Sequence, residues 1–247
     1  MSSPLDSVLL PMNLVTPEAT VTPPPKTGSS EIVDPKTIEL APSATSLTKR
    51  AIDLCGAIVG LTLLGPVMIV VAILIRRDSP GPILFRQRRL GLQGNAFWVL
   101  KFRTMVTDAE LRLREIESLN ESAGGVLFKI KDDPRVTRLG RILRKTSLDE
   151  LPQLINVLRG DMSLVGPRPL QLRDSDLLST LRPHDFARRL AVMPGASGPW
   201  QVGGRSDLSV ESMLELDLDY VENWSLRRDF KIIFQTILVI FTGRGAC

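Results

Sequence analysis

The stretch AIDLCGAIVGLTLLGPVMIVVAILI, Ala51–Ile75, decides the architecture, being almost wholly apolar with Asp53 its one charge. About 25 helical residues at ~1.5 Å each reach ~37 Å, enough to cross a hydrocarbon core of ~30 Å. Two features oppose a plain crossing. Lys49-Arg50 precede the stretch and Arg76-Arg77 follow it, so the positive-inside rule assigns both ends to one side. Gly65-Pro66 falls near the middle, where proline lacks an N–H and clashes with the Thr62 carbonyl. A helix broken there enters and leaves by one face, with the Thr62 hydroxyl serving freed backbone groups. Residues 47–78 are therefore expected to form a re-entrant membrane helix, placed by Lys49, Arg50, Gly65 and Pro66. A spanning helix and a buried core helix are the alternatives.

Around it, the 247 residues allow one ordinary domain plus extras. An apolar content of 43% and a mean hydropathy of +0.10 fit a folded core with a membrane-associated part. The net charge of +4 and pI of about 9.3 favour anionic partners without choosing among nucleic acid, lipid and nucleotide-sugar. Two cysteines, Cys55 and Cys247, make no disulfide framework and fit a reducing cytosol. Residues 1–46 hold eight of the 18 prolines with many Ser and Thr, so they read as a disordered tail without a signal peptide's basic start. Residues 79–247 read as a catalytic domain with interfacial helices.

Pro80-Gly81-Pro82 is a turn. Ile83–Gln87 and Phe97–Phe102 read as short strands flanking Gly91–Asn95, surrounded by Arg86, Arg88, Arg89, Lys101 and Arg103. Ala109–Leu119 reads as an amphipathic helix with a solvated charged face. Asp133-Pro134 has the form of an N-cap followed by proline at the first helical position. Val136, Leu139, Ile142 and Leu143 then give an apolar face, and Arg135, Arg138, Arg141, Arg144 and Lys145 the rest. Such a helix suits an anionic lipid interface, or is a soluble helix covered in arginine.

That helix delivers its cations to Ser147-Leu148-Asp149-Glu150-Leu151-Pro152-Gln153. Ser147 and Glu150 have capping-box spacing, which puts Asp149 in a first turn favourable to negative charge. Pro152 lies too deep for a regular start, so a distorted first turn is expected, and Gly160 is a stop signal. The plain alternative is that Glu150 caps and Asp149 decorates. With one histidine, His184, and no Gly-rich phosphate loop, the paired carboxylates are the candidates for nucleophile or base.

Two prolines bracket Arg168, whose guanidinium fork suits phosphate, although a turn with an incidental arginine has the same pattern. Met193–Ser206 reads as a Gly-rich loop whose Trp200 and Arg205 suit a nucleotide, or as no more than a long loop. Asp217 and Asp219 have the D-x-D spacing of metal-binding glycosyltransferases, but on a Val210–Tyr220 helix they face different directions, so the match is false. Phe230–Phe241 is apolar, amphipathic and too short to span; it packs on the core or lies in the interface.

Taken together, the chain resembles the bacterial sugar transferase family, the monotopic polyprenyl-phosphate phosphoglycosyl transferases. The likeness runs from Lys49-Arg50-Ala51-Ile52-Asp53 to Gly243-Arg244-Gly245. It is carried by Pro80–Gln87, Lys101-Phe102-Arg103-Thr104-Met105, Ser147–Gln153, Gly166-Pro167-Arg168-Pro169 and Glu222-Asn223-Trp224-Ser225-Leu226. Two departures stand out. Gly65 replaces a frequent serine before Pro66, and Gly195-Ala196-Ser197-Gly198-Pro199-Trp200 replaces a more usual Gly-(Ile/Leu)-Thr-Gly-Leu-Trp.

The resemblance implies a small α/β, mostly helical, membrane-associated domain with a re-entrant helix hairpin, a short β-hairpin and interfacial amphipathic helices. It implies transfer of sugar 1-phosphate from a UDP-sugar to polyprenyl (undecaprenyl) phosphate with release of UMP, initiating an exopolysaccharide or other glycoconjugate. Asp149 would be the nucleophile forming a phosphosugar intermediate and a ligand of Mg²⁺, and Glu150 its helper. Arg144 and Arg168 would meet the phosphates, with Trp200 and Arg205 as candidates for the nucleotide. The implied place is the cytosolic face of a bacterial cytoplasmic membrane, with membrane lipid as partner, a homodimer left open and no nucleic acid. Two competing classes are a catalytically silent scaffold binding anionic lipid and a D-x-D glycosyltransferase releasing UDP. Nucleic-acid binding explains the charge but not the apolar hairpin.

Overall fold

The computed structural model describes residues 38–109, 111–112, 130, 133–204 and 209–242, all within one compact unit, Glu31–Cys247. The expected 109–119 helix and Arg205 fall largely or wholly outside the described residues, as does the tail to residue 37. The last residues assigned to the tail pack on the body: α1 (Pro42–Thr45) is one turn, and the Ala41 N–H donates to the Ala191 carbonyl at 3.0 Å.

Ser46 then caps α2 (Leu47–Asp78), its hydroxyl accepting from the Lys49 N–H at 3.2 Å. Among the described residues α2 is the one helix long and apolar enough to cross a membrane. Contrary to the expected break, the helix continues past Gly65 with Pro66 inside it. One missing backbone bond is offset by the many that flank it in a 32-residue helix. The Thr62 hydroxyl donates to the Ile58 carbonyl at 2.9 Å, a bond to the preceding turn rather than to the carbonyl that proline frees.

Both ends of α2 are fastened to the same folded body. At the start, Lys49 Nζ donates to Asp229 Oδ2 at 2.8 Å and to the Val165 carbonyl at 3.1 Å, and Arg50 caps Val157 and Leu158 carbonyls at 2.7 and 3.0 Å. These cations are anchors rather than exposed headgroup charges. Gly56 lets the helix approach Leu164, whose Cδ1 would lie 2.5 Å from an added Cβ. Towards the other end, Val71 and Ile75 are buried with Phe102 and Leu143. Between them Leu63 is 72% exposed and Gly65 has nothing within 4 Å of where a Cβ would lie.

The antiparallel hairpin pairs β1 (Leu84–Leu90) with β2 (Ala96–Phe102), from Leu84 opposite Phe102 to Leu90 opposite Ala96. It matches the expected hairpin with a longer first strand. Period-two alternation puts Phe85, Gln87 and Arg89 on the same face as Lys101, Val99 and Phe97. Next, α3 (Arg138–Lys145) is capped by Thr137, whose hydroxyl accepts from the Gly140 N–H at 2.9 Å. Asp133 is not that cap. Its carboxylate grips Arg135 with bonds of 2.7 to 3.2 Å, a stronger charge-assisted use than capping. Nor is the apolar face single: Leu143 is buried while Ile142 is 59% exposed.

Beyond α4 (Gln153–Arg159), β3 (Ser163–Val165) pairs in parallel with β4 (Gly195–Ser197). The intervening α5 (Leu172–Leu181) and α6 (Pro183–Arg189) form a core with α8 (Val210–Glu222) around Leu178, Phe186, Leu190 and Met213. The segment expected as a Gly-rich loop is β4 followed by α7 (Pro199–Gly203). Its glycines serve close packing: a Cβ on Gly195 or Gly198 would lie 2.1 Å from Gly166 backbone atoms. Finally α9 (Leu226–Thr242) buries Ile232 against Val165 and Tyr220 and leaves Phe230, Phe234, Ile237 and Leu238 exposed. It packs on the core by one side only. Asp229 at its start accepts from Lys49, from the Tyr220 hydroxyl at 2.7 Å and from Trp224 Nε1 at 3.0 Å, joining α2, α8 and α9 in one buried knot.

Candidate active site

After α3, Ser147 adopts a left-handed conformation with φ 57°, and Leu148–Glu150 forms a single 3₁₀ turn. The expected capping box is absent: Ser147 makes no side-chain cap, and Pro152 occupies the N-cap position of α4. Pro152 lacks the N–H of a regular helical residue, and α4 starts after it, which is the distortion the sequence foreshadowed. Gly160 ends α4 with φ 89°, as expected. The 3₁₀ turn gives the two carboxylates different surroundings.

Glu150 is fully engaged. Its Oε1 lies 2.6 Å from Lys101 Nζ and 2.7 Å from Arg168 Nη2, and its Oε2 lies 3.3 Å from Arg168 Nη1. Burial works against its charge, but Arg168 and Lys101 overcome this and hold the carboxyl well below the usual glutamate range. Asp149, although buried, has no hydrogen bond or ion pair among the described residues. Burial and the neighbouring Glu150 charge push its carboxyl up to about 6, against the pull of Lys101, Arg144 and Arg168. The dyad is therefore one clamped anion beside one unclaimed carboxylate.

Arg168 owes its position to more than its flanking prolines. Its carbonyl accepts from Arg189 Nη2, and Arg189 Nε pairs with the fully buried Asp217 at 2.7 Å. Its guanidinium lies 5.6 Å from the Trp200 ring centre, within cation–π range. Asp217 is thus a structural anchor, while the exposed Asp219 pairs with Arg228, which bears out the rejection of the D-x-D match. Arg144 donates from Nε to Thr104 Oγ1 at 3.0 Å.

Arg144, Asp149, Glu150, Arg168 and Trp200 all line one open cleft of about 2080 Å³. Its lining includes cations and, from the helices, the apolar Val59, Leu64, Leu154, Phe230 and Ile237. The sequence left Lys101 as one of several basic residues around a hairpin. Its facing of Glu150 depends on strand register, and the alternation along β2 was the available signal. The Arg189–Asp217 support had no local signal.

Among the described residues no group of three or more His, Cys, Asp or Glu gathers to hold a metal. A cation such as Mg²⁺ is satisfied by one or two carboxylates together with substrate phosphates and water. Within the dyad only Asp149 has free oxygens for that role, and it faces a cleft with room for a diphosphate.

The fold and cleft define a domain with one helix long and apolar enough to cross a membrane and an acidic pair set among cations. Residues 44–243 match the family described as bacterial sugar transferase, and the chain belongs to that family. It is 42% identical over 210 residues to the UDP-galactose-lipid carrier transferase of Erwinia amylovora, covering 84% of this chain and 43% of that one. It is 43% identical over 208 residues to the UDP-glucose:undecaprenyl-phosphate glucose-1-phosphate transferase of Caulobacter vibrioides, covering 82% and 73%. Against the exopolysaccharide production protein ExoY of Rhizobium meliloti the figures are 39% over 208 residues, covering 81% and 88%. The chain spans 43% of the length of the Streptococcus agalactiae galactosyl transferase CpsE, to which it is 42% identical.

Proposed function

We propose that this chain is a phosphoglycosyl transferase that moves sugar 1-phosphate from a UDP-sugar to a membrane polyprenyl phosphate. The observation that carries this reading is the unclaimed Asp149 carboxylate beside a Glu150 clamped by Lys101 and Arg168. The names of the Caulobacter and Erwinia relatives support the donor and lipid classes. An Asp149 oxygen attacks the β-phosphorus of the donor, forming an aspartyl phosphosugar, while the P–O bond to the α-phosphate breaks and UMP departs with that electron pair. A polyprenyl phosphate oxygen then attacks the same phosphorus. The bond to Asp149 breaks, regenerating the carboxylate and leaving a sugar on a lipid diphosphate.

A carboxyl held near 6 is ionised at neutral pH yet more nucleophilic than an ordinary aspartate, which suits this role. Glu150 stays anionic between its two cations and so orients Arg168 and Lys101 rather than taking a proton. Arg144 and Arg168 offset the negative charge of the donor as it nears Asp149. Asp149 would hold Mg²⁺, which would supply Lewis-acid neutralisation of the diphosphate. The apolar part of the cleft, from α2 and α9, accommodates the prenyl chain. Tying both ends of α2 to one body supports a re-entrant placement on the cytosolic leaflet of a bacterial inner membrane. There the dyad lies level with lipid phosphates.

The test is an assay of the purified chain with a panel of UDP-sugars and undecaprenyl phosphate. Formation of UMP, dependent on Mg²⁺ and lost in Asp149→Asn, is the expected result. Release of UDP alone, or full activity of the variant, contradicts the reading.

A further inference from the structure

Arg103, the residue after β2, is 7% exposed, yet among the described residues its Nε and Nη1 have no hydrogen-bond partner. Only Nη2 is used, donating to the Ser79 carbonyl and hydroxyl at 2.7 and 2.9 Å. A buried guanidinium with two idle donor groups is costly unless an anion completes it. No carboxylate among the described residues forms an ion pair with it. The charges bearing on it are Arg76, a second cation, and Asp78, while the dyad contributes none.

The surroundings are shaped for this side chain. Arg76 Nη1 holds the Gly81 carbonyl at 3.1 Å, and Gly81 has φ +117°. A Cβ there would lie 2.2 Å from Arg103 Nη1 and 2.6 Å from Thr107 Cγ2, so the turn has room for the guanidinium only with glycine. Arg103 lines the cleft, at the point where the chain leaves the apolar helix past Arg76-Arg77.

We propose that Arg103, backed by Arg76, is a holding site for the phosphate of a membrane lipid, separate from the Asp149–Glu150 dyad. The idle donors, Nε and Nη1, lie on opposite edges of the guanidinium, so a phosphate is held by its charge and by single hydrogen bonds, and the neighbouring cation strengthens the pull. The lipid assignment rests on the membrane placement of α2 given above. The ligand is a phosphate ester, either the monoester of a prenyl acceptor awaiting the phosphosugar or the diester of a bulk phospholipid.

The test measures binding of a fluorescent prenyl phosphate to the full chain in phosphatidylcholine nanodiscs by anisotropy. Arg103→Gln is expected to raise Kd about tenfold or more, and Arg103→Lys several-fold, since lysine keeps the charge but not the directions of the guanidinium donors. Ser79→Ala, which removes only a structural bond of Arg103, leaves Kd unchanged. Phosphatidylglycerol added to the discs displaces the probe if the site takes diesters and fails to do so if it selects the monoester. An unchanged Kd in Arg103→Gln, or an equal loss in Ser79→Ala, overturns the proposal. If Arg103→Gln does not fold, Arg103→Lys decides, and an unchanged Kd there has the same force. UMP release by the wild-type chain is scored separately, so failure of the transferase reading leaves the binding result standing.

Discussion

Glu150 and Arg168 meet through two contacts, 2.7 and 3.3 Å, and this pairing separates two adjacent carboxylates into different electrostatic states. Glu150 is held anionic by its cations, while Asp149 is left raised and unbonded. The consequences can be measured.

Asp149→Asn is expected to abolish UMP release, a loss of about a thousandfold or more, without weakening the fold. Because the carboxyl is raised to about 6 in the folded chain, the native state binds this proton more tightly than the unfolded one. Its unfavourable effect is absent below the unfolded value near 4 and develops as pH rises through 6. Above pH 7 the variant is therefore expected to be more stable by about 1–3 kcal/mol, read from denaturant melts. The wild-type rate should rise with pH through the same interval, which a pH–rate profile checks.

Glu150→Gln removes the like charge beside Asp149 and frees Lys101 and Arg168. The acid limb of the pH–rate profile should move below 6, with activity down about ten- to a thousandfold. A limb that stays in place would show that Glu150 does not set the Asp149 carboxyl.

Asp217→Asn leaves the Arg189 charge buried without its counter-ion, at a cost of about 3–5 kcal/mol in a thermal or denaturant melt. As a structural anchor it should leave the Mg²⁺ concentration for half-maximal activity unchanged. A shifted metal requirement would return Asp217 to the D-x-D reading.

Gly140→Ala places a Cβ 2.0 Å from the Thr104 carbonyl oxygen, a backbone atom unable to swing aside. Separation of α3 from that segment should cost about 3 kcal/mol and disturb the bond from Arg144 to Thr104. A melt together with the KM for the UDP-sugar checks both.

Local chemistry determined a good part of this. A run of apolar residues from Ala51 to Ile75 dictates a long helix, and alternating residues around a turn dictate the hairpin. Pro152 and Gly160 bound α4 through their own backbone preferences. The sequence also put Asp149 and Glu150 side by side next to a run of arginines. Which carboxylate would be clamped was not legible, because Lys101 and Arg168 reach Glu150 from elements distant along the chain. The same holds for Asp133 and Lys49, expected as a helix cap and a cation flanking the membrane segment, and for Asp217, whose metal match the sequence already rejected without showing its partner; each sits in a buried ion pair. Spacing along a chain fixes backbone geometry and the facing of side chains within one element. The partner of a charge is set by desolvation across elements, and only the tertiary structure brings those elements together.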